Sequence, residues 1–173
     1  MLISKKEVIV TRKLDRMQSF KIYFDKYQHF ESRNIKPLMG LCGLYFIFLK
    51  ETEIPYPFKK SRLIYIGMSE KKTNSIGKRL SDHLEGVSGN EGIFNYRKIE
   101  GLYFTYLNFE MLKQIWRYRI EDLESYFILD FLDKYGVYPI CNNKSGFEIK
   151  KHDVPITLEI DWKYFAKGHT HDR

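Results

Sequence analysis

The sequence predicts an α+β fold whose elements follow the order strand, strand, helix, helix, strand, helix. Two apolar runs, residues 41–49 and 63–68, are typical of buried strands, and each contains one tyrosine. Alternating apolar residues at 102–109 predict a third strand, and apolar residues three and four apart predict a long helix at 111–135. One compact domain is expected, because 173 residues with 43% hydrophobic content match the size of an ordinary domain.

Residues 1–40 are basic and are expected to form an N-terminal arm or cap. Residues 8–10 suit a short strand, and residues 14–24 suit an irregular amphipathic segment. The chain has a net charge of +7, and the excess lies in its first hundred residues. A basic surface favours a polyanionic partner, although a solvated lysine-rich surface explains the charge about as well.

Polar side chains recur where the first strands and helix meet. Two prolines and mixed charges at 50–61 predict a loop between the first two strands. Asn74 or Ser75 is a suitable N-cap for the next helix. Arg79 and His83 are four residues apart, so they share one face of that helix. Two strands that each present a phenol, beside a guanidinium and an imidazole, indicate a phosphate-handling site.

A shorter helix is expected at 89–99, before the third strand. The long helix at 111–135 should end at Gly136 and bury a stripe made of Ile120, Leu123, Phe127 and Phe131. Glu124 heads a neighbouring row that is otherwise apolar, and no Lys or Arg lies three or four residues away, whereas Glu121 has Arg117 one turn earlier. An unpaired carboxylate at a core margin usually needs a cation. The alternative is that solvent or a lysine far away in the sequence stabilises the Glu124 carboxylate.

Residues 146–173 are expected to form a C-terminal extension packed on the core. Within it, 156–160 suits a strand, and an aromatic group follows at Trp162, Tyr164 and Phe165. No apolar run approaches the length of about 18 residues that a membrane helix needs, and the N-terminus has no apolar block of signal-peptide type. A soluble, cytoplasmic protein without a membrane partner is therefore expected.

Taken in order, these motifs resemble the GIY-YIG endonuclease family. The resemblance is carried by Gly43-Leu44-Tyr45, Tyr65-Ile66-Gly67, Arg79-Leu80-x-x-His83, a glutamate on a later helix (Glu124), and an asparagine after a proline (Asn142). It covers residues 41–145 and implies a nuclease core built on a small three-stranded antiparallel sheet flanked by helices.

The sequence departs from the family pattern at three places. Leu44 stands where the family has isoleucine. The two tyrosines are twenty residues apart, about double the usual separation, so residues 50–61 look inserted. The interval between Glu124 and the asparagine is also longer than usual, which leaves the choice between Asn142 and Asn143 open.

The resemblance implies a set of catalytic residues, namely Tyr45, Tyr65, Arg79, His83, Glu124 and Asn142. Glu124 would hold one divalent cation, Mg²⁺ with Mn²⁺ as a substitute, as suits a hard ion bound through one carboxylate. Arg79 would offer its fixed donor fork to the scissile phosphate. Tyr45 is favoured as the group that activates water, and the reverse assignment to Tyr65 stays open.

The function implied is that of a divalent-metal-dependent DNA endonuclease that hydrolyses phosphodiester bonds, free-standing and of restriction or mobile-element type. The alternatives are a structure-specific nickase of repair or recombination and a non-catalytic nucleic-acid-binding module. DNA is the expected partner, and a homodimer is expected for a restriction enzyme, which needs two active sites. The residues expected to contact DNA are Lys59, Lys60, Arg62, Lys71, Lys72 and Lys78.

Overall fold

The computed structural model describes residues 18–142 and 153–168. The strands within these ranges are β1 (Gln18–Ile22), β2 (Gln28–His29), β3 (Gly43–Leu49), β4 (Ile54–Pro55), β5 (Lys60–Ser61), β6 (Leu63–Ser69), β7 (Leu102–Asn108) and β8 (Ile156–Ile160). The α-helices are α1 (Ser32–Ile35), α2 (Ile76–Glu85), α3 (Glu91–Ile99), α4 (Phe109–Leu112) and α5 (Ile120–Tyr135). Two 3₁₀ helices span Lys36–Leu38 and Trp162–Phe165. The fold is α+β, as the sequence predicts.

The central sheet is antiparallel, with strand order β2-β7-β3-β6. Its three long strands are the three that the sequence predicts. Strand β3 begins two residues later than predicted, and β6 and β7 each end within one residue of their predicted ends. The fourth strand, β2, is a pair of residues that joins β7 at Phe104 and Tyr103. A strand of two residues has no periodicity to detect, which is why the predicted sheet has only three strands.

Strand β3 lies between β6 and β7, and all seven of its residues are buried. Side chains alternate along it, so its two faces enter two different clusters. Leu44, Phe46 and Phe48 enter the larger cluster, called here the aromatic core, with α5 and the Trp162–Phe165 helix. The opposite face packs against α2 and α3. The sheet therefore separates two layers that share one strand.

The two ends of the described chain meet on the aromatic core. Strand β1 pairs in parallel with β8, and Phe24 packs edge-on against Phe46 with ring centroids 4.8 Å apart. The predicted strand at 156–160 is confirmed. The irregular segment predicted at 14–24 is wrong at residues 18–22, because the partner that makes β1 a strand lies far away in sequence. The strand predicted at 8–10 lies outside the described residues.

The helix predicted over 111–135 is wrong in its first part. The chain forms the single turn of α4, continues irregularly, and enters α5 only at Ile120. Trp116 is fully buried in the irregular stretch, and its indole N–H donates to the Arg119 carbonyl at 3.0 Å. The ion pair predicted for Glu121 is also corrected, because Glu121 contacts Arg119 at 2.9 Å. The end at Gly136 and the buried stripe of α5 are as predicted.

Residues 50–61 form a connection that folds back onto the core. Strands β4 and β5 pair with each other, and the buried Tyr56 hydroxyl donates to the Leu63 carbonyl at 2.7 Å. The same hydroxyl accepts the Ile140 N–H at 3.0 Å. The expected loop is thus an ordered hairpin that ties β6 to the chain after α5. None of the helices in the described ranges has the length and apolar character that crossing a membrane requires.

Candidate active site

Tyr45 and Tyr65 lie side by side on the face of the sheet that carries α2. Tyr45 pairs with Gly67 across β3 and β6, and Tyr65 precedes Gly67 by two residues, so all three share that face. The tyrosine ring centroids are 6.0 Å apart. A Cβ at position 67 would lie 2.5 Å from the Tyr45 hydroxyl oxygen and 2.7 Å from the Tyr65 ring. Only glycine permits both rings to occupy this space.

Helix α2 carries Arg79 and His83 over the tyrosine pair. Ser75 caps the helix by accepting the Lys78 N–H at 3.2 Å, which decides between the two predicted caps, and Gly86 ends the helix in the left-handed region with φ of 77°. Gly77 lets the helix approach the Leu38–Met39 backbone, since a Cβ there would lie 2.6 Å from the Met39 nitrogen. The one-turn spacing of Arg79 and His83 then directs both side chains toward Tyr45.

A chain of hydrogen bonds runs through Tyr45. Arg79 Nε donates to the Tyr45 hydroxyl at 3.2 Å, and the hydroxyl lies 3.1 Å from His83 Nε2. His83 Nδ1 in turn lies 2.7 Å from Ser88 Oγ. Tyr45 has no exposed surface, whereas Tyr65 is only partly buried. Of the two predicted catalytic tyrosines, Tyr45 is therefore held inside the protein and Tyr65 borders solvent.

A cleft of about 410 Å³ opens beside this network and is called here the tyrosine cleft. Its walls include five of the six predicted catalytic residues, Tyr65, Arg79, His83, Glu124 and Asn142, and also Asn74, Asp82, Ser88, Gly89, Asn90 and Cys141. The sixth residue, Tyr45, lies directly behind the wall, bonded to Arg79 and His83. Residues from β6, α2, α5 and the segment after α5 thus converge, although up to 77 positions separate them in the sequence.

Asn142 fixes the strand that carries Tyr65. Its Oδ1 accepts the Ile66 N–H at 2.9 Å, and its Nδ2 donates to the Ile66 carbonyl at 2.8 Å. The neighbouring Cys141 N–H donates to the Ile64 carbonyl at 2.8 Å, so this segment covers the outer edge of β6. Asn142 is accordingly a positioning residue, since both polar atoms of its amide are engaged by the backbone. Asn143 lies outside the described residues.

Glu124 is the carboxylate that faces the tyrosine cleft from α5. Burial raises its pKa from 4.5 to about 7, although the charge of Arg79 opposes this shift. Glu124 forms no ion pair or side-chain hydrogen bond with any residue in the described ranges. A desolvated carboxylate without a partner is unstable as an anion, and a bound cation would offset the cost of desolvation.

The donor set around Glu124 suits a hard divalent cation that keeps most of its waters. Asp82 is paired with Lys78, and the Asn142 oxygen is engaged by the backbone. Within the described ranges, no group of three or more His, Cys, Asp and Glu side chains could enclose a metal ion. Mg²⁺ is commonly held by one or two carboxylates together with water and substrate phosphate, so Glu124 alone fits it. A closed zinc-type site does not fit.

The imidazole and phenols of the network are electrically neutral near pH 7. Burial, assisted by the charge of Arg79, lowers the pKa of His83 from 6.5 to about 4. Burial also raises the pKa of Tyr45 well above 10, and it raises the pKa of Tyr65, where Arg79 opposes the effect. Arg79 thus supplies the positive charge of the cleft, and neutral His83 can accept a hydrogen bond from the Tyr45 hydroxyl.

Six residues of the tyrosine cleft lie outside the predicted catalytic set, and two of them, Ser88 and Asn90, make side-chain hydrogen bonds that hold the site together. Ser88 bonds to His83, and Asn90 caps α3 through the Ile93 N–H at 3.1 Å while its Nδ2 donates to the Cys141 carbonyl at 2.9 Å. A cap residue before residues 91–99 is visible in the sequence as Asn90. Ser88 gives no such signal, because its role depends on the turn after Gly86 bringing it back to α2.

The six basic residues predicted to contact DNA occupy different environments. Arg62 is 8% exposed and donates to the Phe165 and Lys50 carbonyls at 3.4 and 3.1 Å, so its guanidinium ties backbone segments together. The other five, Lys59, Lys60, Lys71, Lys72 and Lys78, are exposed. Lys78 is paired with Asp82 beside the tyrosine cleft, whereas Lys59 and Lys60 line a separate cleft.

Comparison of this chain with protein-family models, with curated proteins and with solved structures found no match. The functional assignment therefore rests on the residues of the chain and on their geometry.

Proposed function

We propose that this protein is a divalent-metal-dependent DNA endonuclease of GIY-YIG type. The observation that carries the proposal is the convergence of Tyr65, Arg79, His83 and Glu124 on one cleft. Hydrolysis of a phosphodiester needs an activated water, neutralisation of charge on the phosphate and stabilisation of the leaving oxygen. A phenol, a guanidinium, an imidazole and a cation-binding carboxylate are suited to these tasks.

Arg79 binds the scissile phosphate in this proposal. Its Nε is held by the buried Tyr45 hydroxyl, so the guanidinium has a fixed direction before substrate arrives. Glu124 holds Mg²⁺, which neutralises charge on the phosphate and on the departing oxygen when it is bound. Binding of a cation also keeps Glu124 ionised at neutral pH, against the effect of its burial.

Tyr65 is better suited than Tyr45 to activate water. A base must come within hydrogen-bond distance of the water whose proton it takes, and Tyr45 has no exposed surface. Tyr65, as its phenolate, accepts the proton of the attacking water, and Arg79 favours that phenolate. Tyr65 borders solvent, so the proton that it must first release passes to bulk water. This reverses the assignment that the sequence favours.

Nicking and linearisation of supercoiled plasmid test the proposal. Wild-type protein is assayed in Mg²⁺, in Mn²⁺ and in EDTA beside Glu124→Gln, which keeps the size of the side chain. Glu85→Gln is the matched control, because Glu85 is an exposed carboxyl at the end of α2. We expect cleavage by wild type and by Glu85→Gln in either metal, and none in EDTA or by Glu124→Gln. Cleavage that survives EDTA would contradict the assignment of Glu124.

The ends of the products separate the remaining alternatives. Discrete cut sites on both strands indicate a restriction-type enzyme, and scattered or branch-dependent nicks indicate a structure-specific nickase. A second readout does not depend on cleavage: Mg²⁺ should raise the melting temperature of wild type and leave that of Glu124→Gln unchanged. Binding of DNA without cleavage of plasmid, flap or branched substrates would instead support a non-catalytic module.

A further inference from the structure

A second cleft of about 800 Å³ lies at the C-terminal end of α5 and is called here the lysine cleft. Its lysines come from β1, from the hairpin at 54–61, from the end of α5 and from the last 3₁₀ helix. They are Lys21, Lys59, Lys60, Lys134 and Lys163. Tertiary structure therefore gathers this charge, which is not visible as a run of basic residues in the sequence.

Backbone hydrogen bonds hold these four segments together, and the Arg62 N–H after the hairpin donates to the Phe165 carbonyl of the last 3₁₀ helix at 3.0 Å. The Phe58 N–H donates to the Tyr135 carbonyl at 3.2 Å, which ties the hairpin to the end of α5. The Asp161 N–H donates to the Ile22 carbonyl at 3.0 Å, which ties the end of β1 to the chain after β8. The lysine cleft is thus a feature of the folded core, and the positions of its lysine Cα atoms are fixed before any ligand binds.

The positive charges of the lysine cleft exceed the negative ones. Lys134 contacts Asp130 at 3.2 Å, but the other four lysines form no ion pair with a residue in the described ranges. Two acidic residues also line the cleft, Glu159 and Asp161. Glu159 accepts a hydrogen bond from Ser19 at 3.2 Å and lies opposite Lys21 in the register of β1 and β8. With Asp130 counted, five lysines face three carboxylates, and this excess of positive charge attracts a polyanion.

We propose that the lysine cleft binds the phosphate backbone of the DNA duplex that is cut in the tyrosine cleft, an inference that rests on the proposed function. Both clefts are attached to α5, where Glu124 and Lys134 are ten residues apart, or about 15 Å along the helix axis. That axial separation equals about four to five base pairs at about 3.4 Å each, which is within the length of a single duplex. The exposed Tyr23 hydroxyl on the cleft wall adds a hydrogen-bond donor for phosphate.

Charge reversal tests this inference through binding. The test variants are Lys59→Glu/Lys60→Glu and Lys163→Glu. The control for the double variant is Lys36→Glu/Lys98→Glu. It makes the same change of charge as Lys59→Glu/Lys60→Glu, at two exposed lysines that line neither cleft. Fluorescence anisotropy with a labelled 30-bp duplex in EDTA measures affinity over a range of salt concentrations. Plasmid nicking in Mg²⁺ at saturating DNA is measured in parallel, and thermal unfolding verifies that each variant is folded.

We expect the Lys59→Glu/Lys60→Glu variant to bind the duplex about tenfold more weakly or worse at 100 mM salt. The slope of log affinity against log salt should become shallower by about one for each lysine that contacts phosphate. The Lys36→Glu/Lys98→Glu control should lose less than about threefold, and nicking by the test variants should be retained at saturating DNA.

Three results would overturn the inference. One is equal affinity of the test variants and the control, which with nicking intact leaves the proposed endonuclease standing. Another is that the test variants lose binding to poly-glutamate but not to DNA, which would indicate that the cleft binds an acidic protein. The third is loss of binding to single-stranded DNA or RNA but not to the duplex. If the lysine variants bind DNA weakly and wild type cuts nothing, the lysine cleft stands and the proposed enzyme fails.

Discussion

The two faces of β3 use the same strand for opposite purposes. On one face, Phe46 and Phe48 enter the aromatic core, where Phe46 contacts Phe24 and Phe127 with ring centroids 4.8 and 5.6 Å apart. On the other face, Tyr45 is just as completely buried, yet its hydroxyl accepts a hydrogen bond from Arg79 and bonds to His83. Burial alone therefore does not distinguish a core residue from a site residue. The polar partners of the buried atom make the distinction.

This difference predicts that stability resides mainly on one face and activity on the other. The aromatic face gains free energy from apolar area and ring contacts. The tyrosine face keeps a carboxylate whose pKa is raised and an imidazole whose pKa is lowered, so both of these groups are less stable as ions than they are in water. Substitutions on the aromatic face should consequently lower the free energy of unfolding, and substitutions on the tyrosine face should lower the rate of cleavage.

The largest effect is expected from Phe46→Ala. Removing a fully buried ring leaves a cavity in the aromatic core, so the free energy of unfolding should fall by about 3–5 kcal/mol. Tyr45→Phe, one residue away, should lower it by only about 1–2 kcal/mol, because it removes one hydroxyl and leaves its partners unpaired. Urea unfolding followed by circular dichroism measures both. Equal losses would break the contrast between the faces.

Glu124→Gln should make the protein more stable at alkaline pH while abolishing cleavage. The pKa of Glu124 is raised to about 7 by folding, so its contribution to stability is complete below about pH 4.5 and is lost as pH rises through 7. Without metal, the variant should match wild type near pH 4.5 and exceed it at pH 8 by up to about 3 kcal/mol. His83 has the opposite dependence between about pH 4 and 6.5, since its pKa is lowered.

Because both proteins contain His83, the difference between wild type and Glu124→Gln isolates the carboxyl group. Urea unfolding in EDTA at several pH values provides the measurement. A difference that is constant from pH 4.5 to 8 would mean that Glu124 is hydrated in solution, and the fit to a bound cation would then be lost.

Tyr65→Phe should lower the rate of nicking by about 100-fold or more, since it removes the proposed base and retains the ring. The melting temperature should change little, because Tyr65 is partly exposed. Tyr45→Phe should reduce nicking less, through poorer placement of Arg79 and His83. Single-turnover plasmid nicking measures both variants. The opposite order of effects would restore Tyr45 as the group that activates water.

The smallest effect is expected from Ser88→Ala. Ser88 touches only His83 and the Asn90 N–H in this network, so its loss should slow nicking about tenfold by freeing the imidazole ring. The pH at which the rate is half-maximal should shift as well, which a purely structural defect would not cause. A pH–rate profile at saturating DNA is the measurement. An unchanged profile would show that His83 keeps its position without the Ser88 hydroxyl.

The sequence predicts most of the central architecture because those elements have strong local signals. Apolar runs mark β3 and β6, and the glycines at 86 and 136 mark helix ends. Prediction from the sequence fails where a structural element depends on contacts with residues far away in the chain. Nothing near β1 reveals its pairing with β8, and nothing near Trp116 reveals that a buried indole interrupts the predicted helix. Tertiary contacts override local periodicity at both places.

The site divides in the same way. The six residues predicted from spacing and resemblance lie together, because each is placed by an element that the sequence does predict. The exposure of Tyr65 and the burial of Tyr45 were not predictable, since both tyrosines occupy similar apolar runs. Arg62 was predicted to contact DNA, and only the structure reveals the backbone carbonyl groups to which it donates.

The parallel pairing of β1 with β8 has a consequence for how the chain folds. Ser19 meets Glu159, 140 positions later, so this contact closes almost the whole chain into a loop. Such closure is entropically unfavourable, and a chain emerging from the ribosome must leave β1 without its partner until β8 has been synthesised. Deletion of β8 should therefore leave β1 unpaired, and limited proteolysis should detect new cleavage around residues 18–22.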